Sequence, residues 1–339
     1  MPHEAEALGD DELRVRFPEH DFDGYWFFGG LHGDGPFEAI VFGLSLGVND
    51  GYDWGFQDVV PDTDFSLYRF ELVGRERSVG YLRQGLHRHA FRHSHRRLHI
   101  ELPRLVRFEC SWPTLQCAMA SEDGESSLEL TGTLSLSHWS PDMALRGTSW
   151  VTVVCPNVRF EGVFTHRGER TRFSGVGSLD HPMGRVFKSP TSAGMGFWEY
   201  NCLMLNEEFG MFAWHIVDRQ GDVILSEAVT DFPDGRYHKG TLSLRYEDFA
   251  DGDGVPVPQR WTCSVDADHG RIDYAVQVAG PRLDASTVRR GQPLPNYLLD
   301  VLGTFTPLEG DPVEIRGKGT GESVVSERDP RTGVPQQPW

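Results

Sequence analysis

A long succession of strand-length segments, punctuated by turn residues, restricts the fold of this chain more than any other feature. Ala39–Val48 reads as one buried strand, and Phe65–Leu72 (FSLYRFEL) alternates with period two, as a half-buried strand does. Leu98–Phe108, Leu115–Met119, Ser127–Ser137, Trp150–Val154, Val158–Thr165 and Arg170–Gly177 carry the same style to the middle of the chain. Beyond it come Phe197–Leu205, Gly210–Asp218, Asp222–Val229, Gly240–Tyr246, Arg260–Val265, Arg271–Val278, Leu298–Thr306 and Val313–Gly319. Asp218–Gly221, Asp234-Gly235 and Asp251–Gly254 supply turn residues between them. No long stretch holds a 3.6-residue period. Short strands with regular turns predict an all-β sandwich or barrel architecture.

Length then divides the chain. A single hydrophobic core stops growing near ~250–300 residues, and this sequence has 339. Similar numbers of segments lie on either side of residue 165. The expectation is two antiparallel β-barrel or sandwich domains, at residues 1–165 and 166–325, with an extended tail at 326–339 rich in Pro, Arg, Gly and Gln. Small antiparallel barrels leave room for one small ligand. An aromatic content of 12%, with 9 Trp and 21 Phe, suits an apolar one.

Charge and motif content exclude several classes. A net charge of −18 disfavours nucleic acid, whose phosphates call for a basic face. The five cysteines, Cys110, Cys117, Cys155, Cys202 and Cys263, are scattered without CxxC spacing, which fits isolated buried thiols in a reducing compartment. The acidic N-terminus lacks the apolar core of a secretory signal, and no apolar run approaches the ~18 residues of a spanning helix. A cytoplasmic location is expected. No Walker A loop, dinucleotide-binding glycine fingerprint or Gly-x-Ser-x-Gly elbow is present, so chemistry without a nucleotide cofactor is expected.

Gly175–Gly184 (GVGSLDHPMG) places an acid and a histidine, Asp180 and His181, side by side among glycines. Phe197-Trp198-Glu199-Tyr200 follows after a dozen residues. The combination resembles the lipocalin-like superfamily of carotenoid hydratases (hydroxyneurosporene synthase) and AttH-like proteins, to which the lipocalin-like Diels–Alderases look related. The family pattern is approximately Gly-x-Gly-Tyr-x-Asp-His-x-Trp-Gly. Gly175, Gly177, Asp180, His181 and Gly184 match it, whereas Ser178 replaces the aromatic and Met183 the Trp. Arg316–Glu322 (RGKGTGE) is similar to a Gly-x-Gly-x-x-Glu segment near the C-terminus of such proteins. The resemblance implies two lipocalin-like domains and cofactor-free chemistry on an apolar small molecule. That chemistry is hydration, or the cyclisation or cycloaddition of a terpenoid or polyketide intermediate in secondary metabolism.

The residues support that expectation on their own terms. A desolvated carboxyl has a raised pKa and stays protonated near neutral pH, as alkene protonation requires. Asp180 would be the proton donor, with His181 hydrogen-bonding and orienting it. Trp54, Phe197, Trp198, Tyr200 and Trp214 would line the pocket and stabilise a developing cation through their π faces. A second reading stays open: Asp-His before Pro182 is also a turn sequence. A non-catalytic carrier or sensor of an apolar metabolite likewise fits the fold, because fold does not fix function.

Two other stretches yield less. Leu86–Ile100 interleaves His87, His89, His93, His95 and His99 with Arg88, Arg92, Arg96 and Arg97. The arginines repel a metal cation, so the stretch reads as a solvated basic edge or a polar lining, with an anionic group as a further ligand it could dock. No metal site is expected. Asn49–Asp58 (NDGYDWGFQD) lacks EF-hand spacing and reads as a hairpin turn, with Asp53 and Trp54 at a barrel mouth as the alternative.

Overall fold

The computed structural model describes residues 13–16, 22–47, 66–135, 150–184, 195–218, 220–231, 237–252, 255–280 and 296–325. Trp54 and the rest of Asn49–Asp58, like the tail 326–339, lie outside the described residues. The architecture is all-β, with a short 3₁₀ turn at Arg88–Ala90.

The first sheet contains β1 (Phe22–Leu31), β2 (Ala39–Gly47), β3 (Ser66–Val73), β4 (Ser78–Leu86), β5 (Arg92–His93) and β6 (His99–Leu102). It continues with β7 (Val106–Ser111), β8 (Thr114–Ala120), β9 (Ser126–Leu134), β10 (Trp150–His166) and β11 (Glu169–Gly184). These eleven strands run in the order β4-β3-β2-β1-β11-β10-β9-β8-β7-β6-β5. The second sheet is a closed barrel of β12 (Met195–Leu205), β13 (Phe209–Asp218), β14 (Val223–Asp231), β15 (Tyr237–Gly252), β16 (Val255–Ala267), β17 (Gly270–Val278), β18 (Asn296–Pro307) and β19 (Val313–Val325). Every pairing is antiparallel, as short turn-linked strands allow.

The structure corrects two details. Trp150–Val154 and Val158–Thr165 are one strand, β10, whose register against β11 shifts between Cys155 and Val158. Pro156 sits in that shift, where a residue without an N–H can be accommodated. The second detail concerns Gly175–Gly184, which is neither a turn nor the start of the second domain. It is the C-terminal half of β11, paired with β1 on one side and β10 on the other. The change from one sheet to the other therefore falls after Gly184 and before Met195, not at 165/166. Residue 165 instead lies near the end of β10, where the two-residue turn Arg167-Gly168, both at positive φ, closes the β10–β11 hairpin.

Three apolar clusters organise the molecule. One, built on Tyr25, Phe27, Phe42, Tyr68, Phe70 and Phe108, fills the curl of the first sheet. Another, with Trp261, Tyr297 and Leu203, fills the barrel. The third joins the two sheets, because the same strands present their alternate residues outward: Phe28, Val41, Val73 and Val154 meet Trp198, Tyr200, Phe212, Trp214 and Ile216. Burying each large apolar side chain there contributes roughly 1.5–3 kcal/mol. All five cysteines are buried thiols outside any disulfide.

Candidate active site

The period of β11 decides where its acid and its histidine point. Leu179 and Met183 belong to the core of the first sheet, and His181 shares their face. The His181 Nε2 lies 3.1 Å from Asp23 Oδ1, with both side chains fully buried. The Tyr25 ring stacks on the imidazole at 4.1 Å. Asp23 also accepts the backbone N–H of Arg16 at 2.9 Å, and the Tyr25 hydroxyl donates to the carbonyl of Leu13 at 3.0 Å. His181 is thus part of a buried structural anchor. It is not the orienting partner of Asp180 that adjacency in sequence suggests, because neighbours on a strand face opposite ways.

Asp180 turns to the other face, toward the barrel. It stands opposite Trp26 of β1 and Val154 of β10 in the register. The Thr152 hydroxyl donates a hydrogen bond to it. The Trp26 indole crosses Gly43 of β2, where a Cβ would fall 2.2 Å from the ring, so that only glycine lets the indole lie against the strand. A similar close approach explains Gly177, whose Cβ would fall 2.4 Å from the Phe28 carbonyl of β1.

The barrel wall facing Asp180 carries Trp198 and Tyr200 of β12 and Glu322 of β19. Tyr200 and Glu322 are register partners. Trp198 Nε1 donates to Glu322 Oε1 and the Tyr200 hydroxyl to Oε2, both at 3.1 Å. Tyr200 stacks on Phe212 at 5.7 Å and meets the edge of Phe28 at 5.3 Å. Arg69 of β3 bonds Glu71 at 3.2 Å, and this pair is nearly buried.

Burial raises both acids, and their hydrogen-bond partners differ. Burial pushes Asp180 up to about 7, against the Thr152 hydrogen bond, and the charge of Glu322 adds to the rise. Glu322 is raised as well, by burial first, and hydrogen bonds from Tyr200 and Trp198 and the charge of Arg69 offset only part of that rise. Burial, then Glu322, lift the Tyr200 phenol far above its ordinary range, so it stays a neutral donor. A carboxyl that keeps its proton near neutrality, among indole and phenol rings, can donate that proton to a poor base.

Of the residues expected in the site, Asp180, Trp198, Tyr200 and Trp214 come together on the two facing walls. Phe197 lies in β12, but its side chain is outside the described residues. Trp26, Thr152, Arg69 and Glu71 were not singled out by motif. Each shares a face with Asp180 only through long-range strand pairing, and period two within its own strand was their one signal. The histidine stretch occupies the far edge of the first sheet. There the His87 and His89 rings lie 5.0 Å apart and those of His93 and His95 4.9 Å apart. Among the described residues, no group of three or more His, Cys, Asp or Glu is placed to hold a metal. Two surface clefts, of about 780 and 590 Å³, are lined by charged side chains and do not include Asp180.

No protein-family model matches the sequence, and no curated protein matches it either. Similarity appears in three dimensions. An AttH-like protein from Nitrosomonas europaea superposes with a TM-score of 0.62 at 14% identity, covering 96% of this chain and 98% of that one. Kievitone hydratase from Nectria haematococca superposes with a TM-score of 0.61 at 12% identity, covering 96% of this chain and 95% of that one. At such identities the shared property is the fold.

Proposed function

We propose that this protein is a cofactor-independent enzyme that protonates a carbon–carbon double bond of an apolar small molecule, acting as a hydratase or a cyclase. The observation that carries the reading is Asp180, a buried carboxyl pushed up to about 7 on a wall faced by Trp198 and Tyr200. The fold it shares with kievitone hydratase supports the same chemistry.

In this mechanism the substrate lies between the walls with its double bond over Asp180. The carboxyl proton passes to one alkene carbon, and the cation develops on the other. The rings of Trp26, Trp198 and Tyr200 stabilise it by cation–π attraction. Water captures the cation in a hydratase; an internal π bond or hydroxyl does so in a cyclase. Terpenoid and polyketide intermediates are the substrate class that carries such alkenes.

Kievitone is the first compound to offer. With kievitone in ¹⁸O-labelled water, the parent protein is expected to add one labelled water, and Asp180→Asn to lose about 10²- to 10⁴-fold in rate. Activity needs the protonated acid, so it falls as pH rises through about 7. An Asp180→Asn protein as fast as the parent on a compound it turns over would rule out the acid role.

A further inference from the structure

We infer that Glu322 is the proton acceptor of this site, so that the interface between the two sheets holds an acid–base pair of unlike carboxyls. The inference rests on the proposed role of Asp180 and extends it. Glu322 sits half-buried on the wall opposite Asp180. Its two oxygens are held by different donors, Trp198 Nε1 and the Tyr200 hydroxyl, each at 3.1 Å. Two neutral donors and a nearby guanidinium favour an ionised carboxylate. Asp180 has one hydroxyl donor, Thr152, and no cation beside it among the described residues.

The charged and titratable groups around Glu322 come from several strands. Arg69 and Glu71 lie on β3, Asp180 on β11, and Tyr200 and Cys202 on β12. Among the described residues, Arg69 is the cation acting on Glu322, and Glu71 shares it. Two carboxyls held by unequal sets of donors can take the separate roles of acid and base.

The step balances. Asp180 gives its proton to one alkene carbon and becomes a carboxylate. As the oxygen of water bonds to the cationic carbon, Glu322 takes one of its protons. The alkene and water become an alcohol, and the proton now on Glu322 returns to Asp180 through solvent after release. In a cyclase Glu322 instead takes the proton from the attacking hydroxyl, or from the carbon beside the final cation.

Infrared titration of the carboxyl groups of the full chain tests this without a substrate. The parent is expected to show a carboxylic acid band that titrates near 7 and vanishes in Asp180→Asn. In Glu322→Gln, loss of the neighbouring charge should move that midpoint to lower pH. A neutral Glu322 would leave it in place, because glutamine replaces it without a change of charge. Tyr200→Phe removes one donor and should move the Glu322 titration upward, a second route should Glu322→Gln not fold. On kievitone, the parent should show a bell-shaped pH profile. Glu322→Gln should lose about 10²- to 10⁴-fold in rate together with the acid limb. If Asp180 titrates near 7 but neither its midpoint nor the acid limb responds to Glu322, the inference fails and the proposed function stands. If no carboxyl titrates near 7, both fail.

Discussion

His181 shows how far one residue step on a strand separates roles. Its sequence neighbour Asp180 faces the barrel, while its own imidazole lies beneath Tyr25 and beside Asp23 with no exposure at all. His181→Ala removes a hydrogen bond to a buried carboxyl and leaves a ring-sized void. It is expected to destabilise the fold by on the order of 3 kcal/mol in denaturant titration. The infrared midpoint of Asp180 should stay where it is. A midpoint that moved with His181 would restore the orienting role that adjacency suggests. Asp180, Trp198, Tyr200 and Trp214, which the structure brings together between the sheets, were legible as candidates because an acid in a glycine-rich stretch and aromatic residues in the strands that follow are local features. The facing of His181 away from Asp180 follows from period two alone, once Gly175–Gly184 is known to be strand. Arg69 and Thr152 were not legible, because nothing in residues 69 or 152 encodes which distant strands come to lie on either side of β11.

Strand β11, with its neighbours β1 and β10, is where the two sheets meet. Its inward residues complete the core of the first sheet, and its outward residues, Ser178 and Asp180, face the barrel. A strand buried on both faces loses the alternation that marks a half-exposed one, which is why its end reads as a turn from sequence. The outer strands β7, β8 and β9, with alternating buried and exposed residues, are correspondingly plain in the sequence. Gly43 of β2 is the element-scale control on the site. Adding a methyl group there forces it to 2.2 Å from the Trp26 indole, so the ring must leave the strand surface. Gly43→Ala is expected to destabilise the protein by about 1–3 kcal/mol. It should also tilt Trp26 toward its other register partner, Asp180. A changed near-ultraviolet circular dichroism signal, absent in a Gly43→Ala/Trp26→Ala double variant, would report that movement. Unchanged spectra and stability would show that the indole is not held by Gly43.

Among the described residues, a buried acid and a half-buried histidine, in different sheets, have titrations that oppose each other. Asp180 holds its proton to about 7 against an ordinary 3.8. Between those values the unfolded chain gives up a proton that the folded one keeps, so this group lowers stability as pH rises. At pH 8 the full effect is about 4 kcal/mol by the shift alone. His215, on β13 with its Nδ1 2.9 Å from Ser226 Oγ, is lowered by burial from 6.5 to about 4. There the unfolded chain takes up a proton that the folded one refuses, so stability falls as pH drops through that range. Between about 4 and 6.5 the two slopes have opposite signs and cancel. Removing either group should expose the other. Thermal unfolding across pH 4–8 is expected to show Asp180→Asn gaining on the parent as pH rises, and His215→Gln gaining on it as pH falls. Groups on separate sheets without shared partners should add, so the double variant should equal the sum of the two differences. An Asp180→Asn difference independent of pH would mean that the carboxyl is ionised in the folded protein throughout. The acid on which the proposed chemistry depends would then be missing.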